Sequence, residues 1–296
     1  MNWLVIIDPQ EALKPQTDTS LAVIEAARAL EIRVDTATIG ELFFDSRAMV
    51  MARKVDDGIE VRPLDSYELI FMRKEPPYDL SFHYATHLLS LADTLVVNNP
   101  QALRDFNEKL IALNFTRHMP PTLVSSDPKL LSAFVGRYGE AVIKELDSFQ
   151  GKSVRKIGDT DIHVIDEFTD GGRRPVMVQQ FLEAVYDGDK RVMMLGAECI
   201  GASLRRPRHG YHANFANSEA LAATLSEREE VILAELGPWL VAHKIYFTGL
   251  DLIGGYLTEI NITCPTGIKQ IGALNGEDLA ARTVRYFLSL IKTHSS

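Results

Sequence analysis

Asp251, Glu259 and Asn261 bracket the pair Gly254-Gly255, which stands between Leu252-Ile253 and Tyr256-Leu257. Adjacent glycines between two apolar runs spell a hairpin turn. Glu259 and Asn261 are two residues apart on the returning strand, so both project from one face, and a paired strand brings Asp251 alongside. Carboxylate and amide oxygens gathered this way suit a hard divalent cation that also takes phosphate oxygens, as Mg2+ does. The other reading of the same residues is a solvated strand face.

Cations form the second group. Lys144 lies in Ala-Val-Ile-Lys-Glu-Leu, where an ammonium flanked by apolar residues is costly unless it meets an anion. Together with Lys109 it is a candidate phosphate ligand, against the alternative that both stems carry their charge out to water. The following turn, Asp147-Ser148-Phe149-Gln150-Gly151-Lys152-Ser153, offers amides, hydroxyls and a lysine to an anion, but one glycine does not make a Walker loop. Arg205, Arg206, Arg208, His209 and His212 concentrate positive charge in an acidic chain. Such a cluster can clamp a carboxylate or steady charge that develops in acyl or phosphoryl transfer, and it can equally be a charged loop in solvent.

Other residues read less distinctly. The segment from Arg73 to Asp79 follows an apolar run, a place where open α/β sheets hold ligands, though a proline-stiffened turn fits it too. His83 and His87 are four apart on a predicted helix with no third ligand near, which reads as a surface or packing pair. No His-Glu-x-x-His pattern occurs among the 8 histidines, so no zinc site is assigned. Cys264 has no organised histidine and carboxylate partner and reads as a small buried hydrophobe.

The elements that position these groups are signalled by periodicity. With 296 residues, 46% of them hydrophobic and 24% charged, the chain has material for a sizeable core in about two domains or lobes. The net charge of −9 argues against a broad nucleic-acid face. Two distant cysteines exclude a disulfide framework and fit a reducing compartment. The apolar run from Asn2 stops at Asp8 and has no basic segment before it, so neither a signal peptide nor a membrane span is expected, and the protein is read as cytoplasmic. Strand-like runs at 2–7, 68–72 and 94–97 alternate with helical patterns at 20–30 and 80–91, as in an open parallel sheet. After Pro120-Pro121 come short β runs at 141–146, 153–156, 176–181, 191–195, 200–204, 246–253 and 256–262, which read as mixed or antiparallel sheet. Ser226 and Glu229 form a capping box that opens one helix, a last helix spans about 277–291, and 206–219 reads as a loop over a site or a plain surface loop.

The chain resembles the bacterial type of glutathione synthetase, an ATP-grasp ligase. The likeness is carried in order by Asp8-Pro9, Asp18-Thr19-Ser20, the run from Met72 to Asp79, Tyr84-Ala85-Thr86, Asn98 to Gln101, Leu103 to Leu110, Asp187 to Val192, Gly249 to Ile253 and Leu257 to Thr266. It implies an α/β (α+β) ATP-grasp fold with an N-terminal parallel βα domain (1–120), a small central lid domain (121–182) and a C-terminal mixed-sheet domain (183–296). By the same likeness ATP would be held by Lys109, Lys144, Gly151, the hinge Gln179, Gln180, Phe181 and Leu182, and by Asp189 and Arg191. Mg2+, or Mn2+, would be held by Asp251, Glu259 and Asn261. Arg205 and Lys144 would serve the reaction, and Asp18, Ser20, Arg73, Arg205, Asn214 and Thr263 would face the substrates.

The implied reaction joins γ-glutamylcysteine to glycine through an acyl phosphate, in a homo-oligomer without nucleic-acid or membrane partners. Two segments depart from the family. Asp147-Ser148-Phe149-Gln150-Gly151 replaces a glycine-rich turn, and His212-Ala213-Asn214-Phe215-Ala216-Asn217-Ser218 replaces an Arg-Gly-Asn segment followed by Ala-Ala-Gly-Gly. These departures keep two alternatives open: a ligase with a different γ-glutamyl donor or amine acceptor, or an ATP-binding protein without turnover.

Overall fold

The computed structural model describes residues 1–55, 58–147, 154–215 and 217–294. Its first sheet holds strands β1 (Asn2–Ile6), β2 (Arg33–Ala37), β3 (Leu42–Asp45), β4 (Arg47–Arg53), β5 (Ile59–Pro63), β6 (Leu69–Met72) and β7 (Leu95–Val97). Parallel pairing runs β2-β1-β6-β7. The central strands are near-continuous apolar runs because both faces are covered. The antiparallel β3-β4-β5 meander that extends this sheet is an addition to the sequence reading. Its outer strand mixes Glu60 and Arg62 with exposed Ile59 and Val61, so no clean alternation marks it.

Helix α1 (Thr19–Ala29) packs beside this sheet, and its cap is Asp18, whose Oδ1 accepts from Leu21 N at 2.8 Å. Next come α2 (Leu80–Leu89) and the short α3 (Pro100–Asp105). The second sheet is antiparallel, in the order β10 (Val154–Ile157), β9 (Ala141–Glu145), β11 (Val176–Gln180), β8 (Thr122–Ser125), backed by α4 (Pro128–Tyr138) and α5 (Ile162–Thr169). The third sheet is also antiparallel: β14 (Ser218–Ala222), β13 (Glu198–Pro207), β12 (Asp189–Leu195), β15 (Phe247–Ile253), β16 (Tyr256–Asn261). Helices α6 (Glu227–Ala242), α7 (Ile268–Asn275) and α8 (Leu279–His294) complete it. The expected capping box opens α6: Glu229 N donates to Ser226 Oγ and Ser226 N donates to Glu229 Oε2. Among the described residues no helix is long and apolar enough to cross a membrane.

The first and third sheets share their cores. Trp3 and Phe71 from the first meet Phe287 of α8, and Phe71 also meets Phe247 of the third, with Phe71–Phe287 and Phe71–Phe247 centroids at 4.9 and 5.4 Å. Each such pair contributes about 0.5–1.5 kcal/mol beyond its buried area. Asn98 stitches the same seam: its amide donates to Phe247 O and Ile262 O, and its Oδ1 accepts from Tyr246 N and Phe247 N. The second sheet has a separate core of Leu131, Ile143, Ile165, Val178 and their neighbours.

Candidate active site

Strand registry gathers the charged residues. Asp189 stands opposite Arg205, Arg191 opposite Asp251, and Asp251 opposite Glu259, while Gly249 faces Asn261. Residues directly opposite in an antiparallel pair share a face, as do residues two apart on one strand. One face of the third sheet therefore carries the six polar groups, and it looks into a cleft of about 800 Å3 that the second sheet also lines.

Asp251 is the hub. Its Oδ1 accepts from Arg191 Nε at 2.6 Å and from Arg205 Nη2 at 2.7 Å; its Oδ2 accepts from Arg191 Nη2 at 3.0 Å and Asn261 Nδ2 at 3.2 Å. Burial alone would raise its carboxyl, but the two guanidinia win and hold it below the usual carboxylate range. Asp189 is also buried and is pushed up to about 7, because desolvation and the nearby Asp251 charge outweigh Arg205. Its Oδ2 accepts from Arg205 Nη2 at 2.6 Å, while its Oδ1 is buried with no partner among the described residues. Asp189 and Asp251 together hold the Arg205 guanidinium protonated against the opposing effect of its burial.

Lysines approach from the facing elements. Lys109 is buried, and its Nζ lies 3.5 Å from Glu259 Oε1. Lys144, on β9, donates to Gln179 Oε1 at 2.6 Å, and burial lowers its ammonium below the usual lysine range against the pull of Glu259. At the far end of β11, Gln180 N donates to Pro121 O and Phe181 N to Glu140 O. Beyond them Leu182, Val142, Val154 and Val185 form an apolar slot. The cleft thus combines a charged floor with apolar lining, a combination suited to a group that is polyanionic at one end and aromatic at the other. Gly151 lies outside the described residues, as do Ser148, Phe149, Gln150 and Lys152.

The residues expected to face the substrates divide. Asp18, Asn214, Thr263 and Arg205 line the cleft. Ser20 and Arg73 do not: Arg73 is 2% exposed, donates from Nε to Ser20 Oγ at 3.0 Å and from Nη2 to Pro265 O at 2.9 Å, and lies between the Phe71 and Phe247 rings. They tie α1 to the segment after β16 and reach the cleft through what they hold.

Glu108 belongs to the site and was not singled out by sequence. Its Oε1 accepts from Ile262 N, Thr263 N and Thr263 Oγ1 at 2.7, 2.8 and 2.8 Å, and its own carbonyl accepts from Ile260 N. It bolts the strand of Glu259 and Asn261 to the residue next to Lys109. Burial raises its carboxyl despite these donors. The only sequence signal was its place between Asn107 and Lys109. The Asp8–Lys74 ion pair (2.9 Å), with Glu75 N donating to Asp8, adds polar lining at the α1 end. The 208–217 loop supplies Tyr211, His212 and Phe215. His83 and His87 lie apart on α2, with their Nε2 atoms 3.2 Å from each other, and Cys264 Sγ donates to Arg73 O at 3.1 Å.

Comparison with known proteins agrees with this geometry. The family model "Prokaryotic glutathione synthetase, N-terminal domain" matches residues 1–104, and "Prokaryotic glutathione synthetase, ATP-grasp domain" matches 108–276. Glutathione synthetase of Thermosynechococcus vestitus is 37% identical, over 98% of this chain and 100% of that one. The Prochlorococcus marinus glutathione synthetase is 38% identical, over 97% and 99%. Among solved structures, D-cycloserine synthetase superposes with a TM-score of 0.73 over 98% of this chain and 99% of that one, at 14% identity. A RimK domain ATP-grasp protein from Sphaerobacter thermophilus gives 0.67 over 97% and 99%, at 17% identity. These two show the fold alone. With both family models covering nearly the whole chain and relatives matching it end to end, the chain belongs to the prokaryotic glutathione synthetase family of ATP-grasp ligases.

Proposed function

We propose that the cleft divides the work of ATP-dependent glutathione synthesis, the activity of this family, among the residues just described. The observation that carries this reading is the convergence of Lys144, Arg191, Arg205 and the Asp251, Glu259 and Asn261 set on one cleft that also has apolar lining, with Lys109 behind Glu259 at 3.5 Å. Adenine occupies the slot by Phe181 and Leu182, and the phosphates lie on Lys109, Lys144 and the third sheet. The terminal carboxylate of γ-glutamylcysteine attacks the γ-phosphorus and ADP leaves; the amine of glycine then attacks the acyl carbon, phosphate leaves, and the ammonium proton is released. Arg205 steadies the oxyanion and the departing phosphate, because a guanidinium fixed by two carboxylates is oriented before charge develops. Lys109 and Lys144 neutralise the charge spread over the moving phosphoryl group.

The donor set fits Mg2+. Asp251, Glu259 and Asn261 offer hard oxygens, and the buried, unpartnered Oδ1 of Asp189 is an acceptor still open to a cationic or hydrated group. When bound, the cation adds charge neutralisation at the phosphates. The protein's part is to set these oxygens on one face of the sheet, with Arg205 held in place by Asp189 at 2.6 Å. The test is ADP formation with Mg2+ and ATP, with γ-glutamylcysteine and glycine added singly and together and product identified by mass. Turnover that requires both, with a tripeptide product, is the expected result. ADP release with the dipeptide alone would point to another acceptor, and ATP binding without turnover would refute the catalytic reading.

A further inference from the structure

The loop between β13 and β14 brings a hydrocarbon ring into a cleft floored by charged groups. Phe215 is half-buried and lines that cleft. The Arg205 Cζ lies 5.4 Å from its centroid. Its edge also packs on Gly267, so closely that a Cβ built there would come within 2.9 Å of Phe215 Cε2. The ring thus contacts both the guanidinium on the cleft floor and the segment that leads into α7. Gly267 N in turn donates to Thr19 Oγ1 at 3.3 Å, so the wall the ring meets is tied to α1.

We propose that Phe215 sets the size of the amine acceptor, admitting an amino acid that has no substituent on its α-carbon. The argument rests on the role given above to Arg205. If the acyl carbon is steadied there, the attacking nitrogen must come within about 3–3.5 Å of it. The acceptor's α-carbon then lies one bond farther out, beside a phenyl ring that contacts both Arg205 and Gly267. Glycine presents hydrogens to that ring. Any α-substituent meets ring carbons backed by Gly267, which leaves the ring no room to retreat, and a phenyl edge gives a hydroxyl no hydrogen-bond partner. Arg205 needs the same ring for a second reason: it covers the guanidinium and keeps water off the centre where an acyl phosphate would hydrolyse.

The test compares wild type with Phe215→Ala and Phe215→Leu, using ATP, Mg2+ and γ-glutamylcysteine with glycine, L-alanine, L-serine or 2-aminobutyrate as acceptor. Opening the wall should raise kcat/KM for L-alanine relative to glycine by about 10- to 200-fold, the range one methylene-sized step spans in a shaped pocket. Phe215→Leu should move the ratio in the same direction by less. An unchanged ratio in either variant that still joins glycine overturns the proposal, as does a change confined to the KM for ATP or for the dipeptide. Should Phe215→Ala fail to fold by circular dichroism, the Leu variant decides alone. Wild-type protein that turns over with another acceptor but not with glycine would instead overturn the glutathione reading, and this proposal with it.

Discussion

Replacing Glu108 by alanine tests whether the site depends on a residue that touches no reacting atom. The carboxylate satisfies two backbone amides, Ile262 N and Thr263 N, and the Thr263 hydroxyl, in surroundings where Ile262 is fully buried and Thr263 nearly so. An orphaned buried polar group costs about 1–3 kcal/mol, so the two amides alone put Glu108→Ala at about 2–6 kcal/mol. At about 2–4 °C per kcal/mol for a chain approaching this size, a mid-range loss lowers the melting temperature by roughly 8–16 °C. Glu108→Gln keeps an acceptor oxygen and should fall between. Burial holds the Glu108 carboxyl above its usual range, so the folded protein keeps that proton longer than the unfolded chain does. The wild-type advantage over Glu108→Gln is therefore largest at the acidic end and shrinks as pH rises through the carboxylate range. The assay is thermal unfolding without nucleotide at several pH values, followed by the KM for ATP, which should rise because Lys109 and Glu259 lose their shared anchor. A Glu108→Ala melting temperature within about 2 °C of wild type, or a Gln variant as damaged as the Ala one, would refute the reasoning.

Three further outcomes are expected. Glu259→Gln should abolish Mg2+-dependent turnover and leave the fold intact, since Glu259 is half-exposed and meets Lys109 at 3.5 Å; near-normal activity across a Mg2+ titration would remove it from the metal set. Asp251→Asn strips Arg191 of a bidentate carboxylate and leaves Arg205 with Asp189 alone, so apo stability should drop by about 3–5 kcal/mol, as when one member of a buried pair is removed; an unchanged denaturation midpoint would contradict that. Burial pushes the Cys264 thiol up to about 12, so its alkylation, followed by peptide mass, should climb about tenfold per pH unit from about pH 7 to about pH 10 with no plateau; levelling off near the ordinary thiol range would show that the thiol is accessible and ordinary.

The sequence made the third sheet's chemistry legible because two-residue spacing on a strand maps directly onto a face. Glu259 and Asn261 could be paired on paper, and the Gly254-Gly255 turn supplied Asp251. What it could not show is that Asp251 is clasped by Arg191 and Arg205, since that depends on the registry of three strands drawn from some 60 residues of chain. Glu108 was hidden for the same reason: its partners are more than 150 residues away. Arg73 carried an opposite ambiguity. A lone arginine after an apolar strand reads as a ligand, and the packing of Phe71 and Phe247 around it adds a tie between layers that the sequence does not show. Helix starts were legible where a side chain caps them, as at Ser226. The β3-β4-β5 meander had no comparable punctuation.

The way the apolar cores are apportioned sets which part of the molecule is cheapest to displace. The first and third sheets are welded by common hydrophobic clusters, by Asn98 and by Arg73, whereas the second sheet has a core of its own. Among the described residues its ties across the cleft include the hydrogen bonds Asn107 Nδ2 to Leu146 O and Lys156 N to Tyr211 Oη, and the Phe181–Tyr211 ring contact at 5.9 Å. Swinging that sheet outward exposes little shared apolar surface and breaks few bonds, whereas parting the other two would tear a core. The cleft thus has one fixed jaw and one hinged jaw. Lys144 and the apolar lining from Val142 and Val154 belong to the hinged jaw, while Arg205 and Asp251 belong to the fixed one. On the function proposed above, a nucleotide bridging the two jaws would align Lys144 with the phosphates.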